Sequence, residues 1–123
     1  LAELLARLPV ALHWIDSREG IFPVSVPAHV LCEHSEPVQG AVASLAPGSR
    51  VLIMSFSHAE DLDVVMACLQ RQRQQGDLPY VGLIGSATKW ASFRSRPSMR
   101  STAICGRNGR APDILLLSLA IRI

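Results

Sequence analysis

The sequence predicts an α/β fold in which a mostly parallel, doubly wound sheet carries helices on both faces. Helix-like and strand-like segments alternate along the 123 residues, as they do where helical crossovers join parallel strands. Hydrophobic residues make up 49% of the chain and aromatic residues only 5%, so aliphatic side chains supply most of the core, as in helix-covered sheets. A polar segment follows each of three apolar strands, which places polar side chains at one edge of the sheet.

Each element has its own signal in the chain. The opening LAELLARL is apolar at helical spacing, a Glu-Pro pair opens the second helix, and a glycine ends the third. Helices are expected over 1–8, 36–46, 58–75, 88–96 and 112–121. Short apolar runs predict strands over 10–15, 29–32, 51–54, 80–84 and 102–104.

Composition excludes several classes of protein. The formal net charge is only +2 and the 12 Lys and Arg residues form no dense run, so we expect no nucleic-acid partner. No apolar run approaches the roughly 20 residues that span a bilayer, so we expect a soluble protein with no membrane association. Three cysteines cannot all pair within one chain, which favours a reducing cytoplasm, and Cys68 lies in an apolar helical run where a thiol acts as a small hydrophobe.

The length is typical of one domain, and we expect residues 1–123 to form it. Leu1 has the character of a residue inside a helix and no capping residue stands before it. We therefore expect the chain to be a piece of a longer protein whose preceding segment is absent.

Asp16 follows the first strand, with Ser17 and Arg18 beside it. In dinucleotide-binding folds an acidic residue at the end of the second strand accepts hydrogen bonds from a ribose hydroxyl, after a strand, a glycine-rich turn and a helix. Here the helix is present and the glycine turn is not. Because aspartate also commonly stabilises turns, both interpretations stay open.

Two hydroxyls, an imidazole and two carboxylates lie within 55–61, directly after the third strand. Ser57 with Glu60 three residues later has the pattern of a capping box at a helix start. His58 and Asp61 are spaced to share a hydrogen bond that would fix the imidazole tautomer. Ligand contact is the alternative to capping, whereas a metal site lacks a third ligand at a recognisable spacing.

The fourth strand runs into Gly85, followed by Ser86 and Lys89. Glycine lets a backbone approach a ligand closely, and a helix start offers free N–H groups to an anion. The segment does not match the phosphate loop of nucleotide hydrolases. A later loop, CGRNGR at 105–110, is basic; it either contacts phosphate or is simply solvated.

Three blocks together resemble the C-terminal Rossmann-type domain of the xanthine dehydrogenase accessory factors, the XdhC/CoxI family. They are WIDSRE at 14–19 with a following Phe-Pro pair, MSFSHAEDL at 54–62, and YVGLIGSATK at 80–89 with Phe93. Their order and spacing match over roughly 1–96, and the third block is the most specific.

The resemblance implies a bacterial, cytoplasmic accessory protein and not an enzyme. Such a protein binds molybdenum cofactor and assists its sulfuration and its insertion into molybdenum hydroxylases such as xanthine dehydrogenase, with a sulfur-donating desulfurase as a further partner. The resemblance implies no catalytic residue and no metal ligand. It places around the cofactor Asp16, Ser57, His58, Gly85, Ser86 and Lys89. In this interpretation Lys89 binds the phosphate, Asp16 accepts a hydrogen bond from a hydroxyl group, and His58 faces the remaining polar edge of the ligand.

The chain departs from the family pattern in three ways. The first strand and glycine-rich turn of the Rossmann-like fold are absent, Phe56 stands where the family commonly has His, and 97–123 is atypical and shortened. A missing first strand exposes the apolar edge of its neighbour, so we expect extra residues upstream or self-association, for example as a homodimer. Two alternatives remain: an NAD(P)-binding domain of an oxidoreductase, for which Asp16 favours NAD, and a truncated remnant that binds no ligand.

Overall fold

The computed structural model describes residues 2–84, 91–93, 95 and 119–122. Helix α1 spans Ala2–Leu5, helix α2 spans His58–Gln75, and a 3-10 helix spans Val38–Ser44. The strands are β1 (Ala11–Asp16), β2 (Val30–His34), β3 (Arg50–Ile53), β4 (Tyr80–Leu83) and β5 (Leu119–Arg122). The expected alternation of strands and helices is therefore confirmed within residues 2–84, except that β2 follows β1 with no helix between them.

All five strands belong to one sheet with the order β2-β1-β5-β3-β4. β1 pairs in parallel with β2, and β3 pairs in parallel with β4. β5 lies between the two pairs and is antiparallel to both β1 and β3, so the four other strands all run in the same direction. The Rossmann-like α/β class is confirmed, with one antiparallel strand at the centre of the sheet.

The C-terminal prediction is wrong where the structure describes it. A helix was expected over 112–121, but Leu119–Arg122 is β5; residues 112–118 lie outside the described residues. The inner edges of β1 and β3 carry backbone N–H and C=O groups that need partners. A strand pairs with both edges at once and a helix cannot, so tertiary pairing overrides the helical pattern. For the same reason the edge of β1 that we expected to be exposed is covered by β5.

The other elements lie close to their expected places. The bounds of α2 match, and β1, β3 and β4 each begin or end within one residue of the prediction. β2 extends two residues further than expected, to His34. The second helix is a 3-10 helix rather than an α-helix. The strand expected over 102–104 lies outside the described residues, as does most of the helix expected over 88–96, of which Ala91–Phe93 is helical.

The core lies on both faces of the sheet. One face packs against α2 and the 3-10 helix, and Ile53 and Cys68 at its centre are fully buried. The other face carries Leu12 and Leu52, with Leu5 of the α1 end packed against them. Cys68 lies inside the apolar cluster on the α2 face, as expected of a thiol that acts as a small hydrophobe, and its burial raises the pKa of the thiol to about 12. No helix within the described ranges is long and apolar enough to cross a bilayer.

Candidate functional site

The candidate site lies at the edge formed by the carboxyl ends of the parallel strands. β1 ends at Asp16, β2 ends at His34, and β3 leads through residues 54–57 into α2. From β1 the chain proceeds outward to β2, and from β3 it proceeds outward to β4, so the strand order reverses at the centre of the sheet. Ligands of open α/β sheets bind outside the carboxyl ends at this reversal point.

Asp16 is held by Arg18 in a bidentate ion pair. The Arg18 Nε donates to Oδ1 at 2.9 Å and Nη2 donates to Oδ2 at 2.8 Å. The backbone N–H of Arg18 also donates to Oδ1 at 3.0 Å, which is the turn geometry considered for this aspartate. The hydrogen bond from the Arg18 side chain lowers the pKa of Asp16 against the opposing effect of burial. Oδ1 is therefore saturated, whereas Oδ2 retains room for a second donor.

Ser17 joins three elements at this edge. Its hydroxyl donates to Glu60 Oε1 of α2 at 2.6 Å, and its carbonyl lies 3.0 Å from Nε2 of His34. Because a carbonyl oxygen can only accept, Nε2 of His34 carries the proton. The ends of β1 and β2 and the first turn of α2 are thus held together by polar contacts.

Ser57 caps α2, as the capping interpretation predicts. Its side chain accepts from the backbone N–H of Glu60 at 3.5 Å. The carboxylate of Glu60 does not complete a capping box, because it accepts from Ser17 and the N–H of Ser57 donates to Ser55 Oγ at 3.1 Å. Asp61 is fully buried, and its Oδ1 accepts from the backbone N–H of Ser55 at 2.8 Å.

His58 is exposed at the first position of α2. Its exposure leaves the imidazole accessible at the edge where β3 leads into α2. The hydrogen bond expected between His58 and Asp61 stays a prediction. Within the described ranges, no group of three or more His, Cys, Asp or Glu side chains is placed to hold a metal ion.

Phe56 is a residue that the sequence reasoning noted only as a departure from the family. Its ring is 65% exposed, and the Arg18 guanidinium carbon lies 5.3 Å from the ring centroid. His34 was missed because the second strand was expected to stop at Cys32. A prediction that continued this strand to residue 34 would have placed His34 at the same edge as Asp16.

The structure thus brings together three of the six predicted site residues, Asp16, Ser57 and His58, at or beside the carboxyl ends of β1 and β3. Gly85, Ser86 and Lys89 lie outside the described residues. The expected anion site that they form stays a prediction.

A separate cavity of about 300 Å³ opens near the amino-terminal ends of β1 and β2, lined by residues that include Ala11, Leu31 and Ser49. His13 lies on its wall, with Nε2 2.8 Å from Glu33 Oε2 in a geometry that does not make a hydrogen bond. The lining is mainly apolar and lies at the opposite end of the strands from Asp16. It is therefore separate from the candidate site.

Comparison with known proteins gives one match. A family model described as the XdhC Rossmann domain matches residues 1–104, which is most of the 123-residue chain. No curated protein and no solved structure matches the chain.

Proposed function

The chain belongs to the XdhC family, whose Rossmann domain it carries over residues 1–104, and from that premise we propose that it binds molybdenum cofactor at the strand-end site. The family is one of accessory factors rather than enzymes. In this proposal the chain protects the cofactor during sulfuration and assists its insertion into a molybdenum hydroxylase such as xanthine dehydrogenase. The cofactor is cargo, received and handed on. The observation that carries the proposal is the family match together with the polar cluster at the reversal point of the sheet.

The described residues suit such cargo. Molybdenum cofactor combines a pterin, which has N–H donors, with a phosphate. Asp16 Oδ2 accepts only one of the two hydrogen bonds available to a carboxylate oxygen, so it can accept from the pterin. The exposed imidazole of His58 lies at the start of α2, where the dipole of an 18-residue helix favours an anionic group. In the proposal Ser57 keeps this helix start in place, while Gly85, Ser86 and Lys89 hold the phosphate.

Partners follow from the same proposal. A sulfur-donating desulfurase would supply the sulfur, and the hydroxylase would accept the cofactor, so both must reach the strand-end site from solvent. The homodimer expected from an exposed β1 edge is not carried into this proposal, because β5 covers that edge.

The alternative is an NAD(P)-binding domain. It is favoured by Asp16, which ends β1 as a ribose-binding carboxylate ends its strand. The one remaining acceptor position, on Asp16 Oδ2, would accept a ribose hydroxyl as well as a pterin N–H, so this residue does not separate the two proposals. The family match favours the cofactor proposal.

A thermal shift assay tests the proposal with molybdopterin, NAD or no ligand added to the purified chain. Binding to the native state alone adds about 2.7 kcal/mol of stability at a hundredfold excess over Kd, so molybdopterin should raise the midpoint. His58→Ala and Lys89→Ala should reduce the rise. Gln74→Ala is the matched control, because Gln74 is exposed near the opposite end of α2. If only NAD raises the midpoint, the NAD(P)-binding proposal replaces the cofactor proposal. If neither ligand raises it, the chain is a remnant that binds neither ligand.

A further inference from the structure

We propose that Phe56, backed by Arg18, is a stacking platform for the planar heteroaromatic ring of the ligand. The inference rests on the proposed function, because it names how the same site would hold the ring of its cargo. It concerns residues that the predicted site set does not include.

Two apolar side chains are exposed beside the candidate site. Met54 is 41% exposed and Phe56 65% exposed, and both follow β3 directly, at the edge where doubly wound sheets bind ligands. Exposed apolar surface is unfavourable in water. The ring of a ligand that binds at this edge would cover part of it.

The second observation is that the loop is fixed with Phe56 pointing outward. Burial alternates along 54–57, with Ser55 and Ser57 partly buried between the exposed residues. The N–H of Ser55 donates to buried Asp61 at 2.8 Å, and the Ser55 hydroxyl donates to the Ser57 carbonyl at 2.6 Å. These contacts fix Ser55 and Ser57, on either side of Phe56, to the start of α2. The phenyl ring is consequently presented to solvent without any change in the loop.

The third observation is that one face of the ring already has a partner. The guanidinium of Arg18 lies over Phe56, with 5.3 Å from Cζ to the ring centroid, a distance typical of a cation–π contact. Arg18 is in turn held by two side-chain hydrogen bonds to Asp16. The ring is therefore oriented by a fixed cation on one side, and the exposed remainder is available to a second planar group.

The charges of the platform favour a ring over an additional anion. Arg18 and Asp16 neutralise each other, so the cation beneath the ring has no unpaired charge to offer a phosphate. A planar heteroaromatic ring stacks on Phe56 without breaking this pair. Pterin and purine rings share this chemistry, and the ligands used in the test separate them.

Equilibrium dialysis tests the platform with molybdopterin, AMP and ribose 5-phosphate as ligands. Phe56→Ala and Phe56→Leu should weaken binding of the ring-bearing ligand by about tenfold or more, the range found when a stacked aromatic side chain is removed. Phe56→Trp should retain binding, because it keeps an aromatic face. Leu4→Ala is the matched control: Leu4 is 63% exposed and lies in α1, away from the site. The thermal midpoint of each free variant should stay close to that of wild type, since Phe56 is exposed and its removal loses only the exposed contact with Arg18.

The outcomes separate this inference from the proposed function. If molybdopterin binds the wild type and Phe56→Ala equally, the platform is refuted while the cofactor proposal stands. If only AMP binds and Phe56→Ala weakens it, the platform stands and molybdopterin is the wrong cargo. If ribose 5-phosphate binds as tightly as the ring-bearing ligands, or if nothing binds, the platform is refuted.

Discussion

At the scale of single residues, Arg71 ties α2 to two other parts of the chain. It is only 6% exposed. Its guanidinium donates to the carbonyls of Val42 at 2.6 Å and Leu45 at 2.7 Å, at the end of the 3-10 helix. It also donates to both carboxylate oxygens of Asp77, which lies after α2, at 3.0 and 2.6 Å. Because a planar fork is needed to reach all these acceptors, a lysine cannot replace it.

Arg71→Ala is expected to destabilise the fold by about 2 kcal/mol or more, because two buried carbonyl oxygens lose their hydrogen-bond donor. The variant would leave the Val42 and Leu45 carbonyls without this donor in the interior. Urea unfolding followed by circular dichroism measures the change. Gln74→Ala, three positions along the same helix at an exposed site, should change stability much less. Equal losses in the two variants would contradict the special role of Arg71.

The same pair predicts a pH dependence. The Arg71 hydrogen bond lowers the pKa of Asp77 from its ordinary value of 3.8. A carboxyl group whose pKa is lower in the folded state contributes stability above the unfolded pKa, and loses it as pH falls through the folded pKa. Wild-type stability should therefore fall below about pH 4. Asp77 contributes to that fall in the wild type, and its contribution should be absent in Arg71→Ala.

At the scale of elements, α2 could be predicted from sequence because its signals are local. Ser57 and Gly76 bracket it, and both act within one turn of the helix. The 3-10 helix was predicted in position but not in type, since Val38, Val42 and Leu45 are buried as expected. The spacing of these apolar residues predicts a helix and its buried face, but it does not distinguish a 3-10 helix from an α-helix.

Gly76→Ala is expected to destabilise the protein by about 1 kcal/mol, because Gly76 ends α2 at φ 66°, a left-handed conformation that costs other residues about 1–2 kcal/mol. No atom lies within 4 Å of a β-carbon built there, so the cost is one of backbone conformation alone. Urea unfolding measures it. Gly40→Ala is the control: no positive φ is found there and the nearest atom is 3.9 Å away, so stability should stay level or rise.

At the scale of the whole molecule, the site and the sheet were predictable to different extents. Asp16, Ser57 and His58 lie at or beside the carboxyl ends of β1 and β3 because parallel strands end at a common edge, and the sequence pattern reveals parallel strands. The platform at Phe56 depends on a contact with Arg18 between two separate loops. The central strand depends on pairing between residues more than 65 positions apart, such as Val51 and Ala120. Both contacts join residues that are far apart in the sequence, so no local sequence pattern predicts them.

β5 joins the two halves of the sheet. Ala120 lies opposite His13 of β1 and Val51 of β3. Proline has no N–H and fits poorly inside a central strand, so Ala120→Pro should separate the β1–β2 pair from the β3–β4 pair. Hydrogen exchange measures this directly, since amides of β1 and β3 that face β5 should lose protection while those between β3 and β4 lose less. Ala120→Ser keeps the N–H and should leave protection close to wild type. Unchanged protection in Ala120→Pro would mean that β5 does not hold the centre of the sheet.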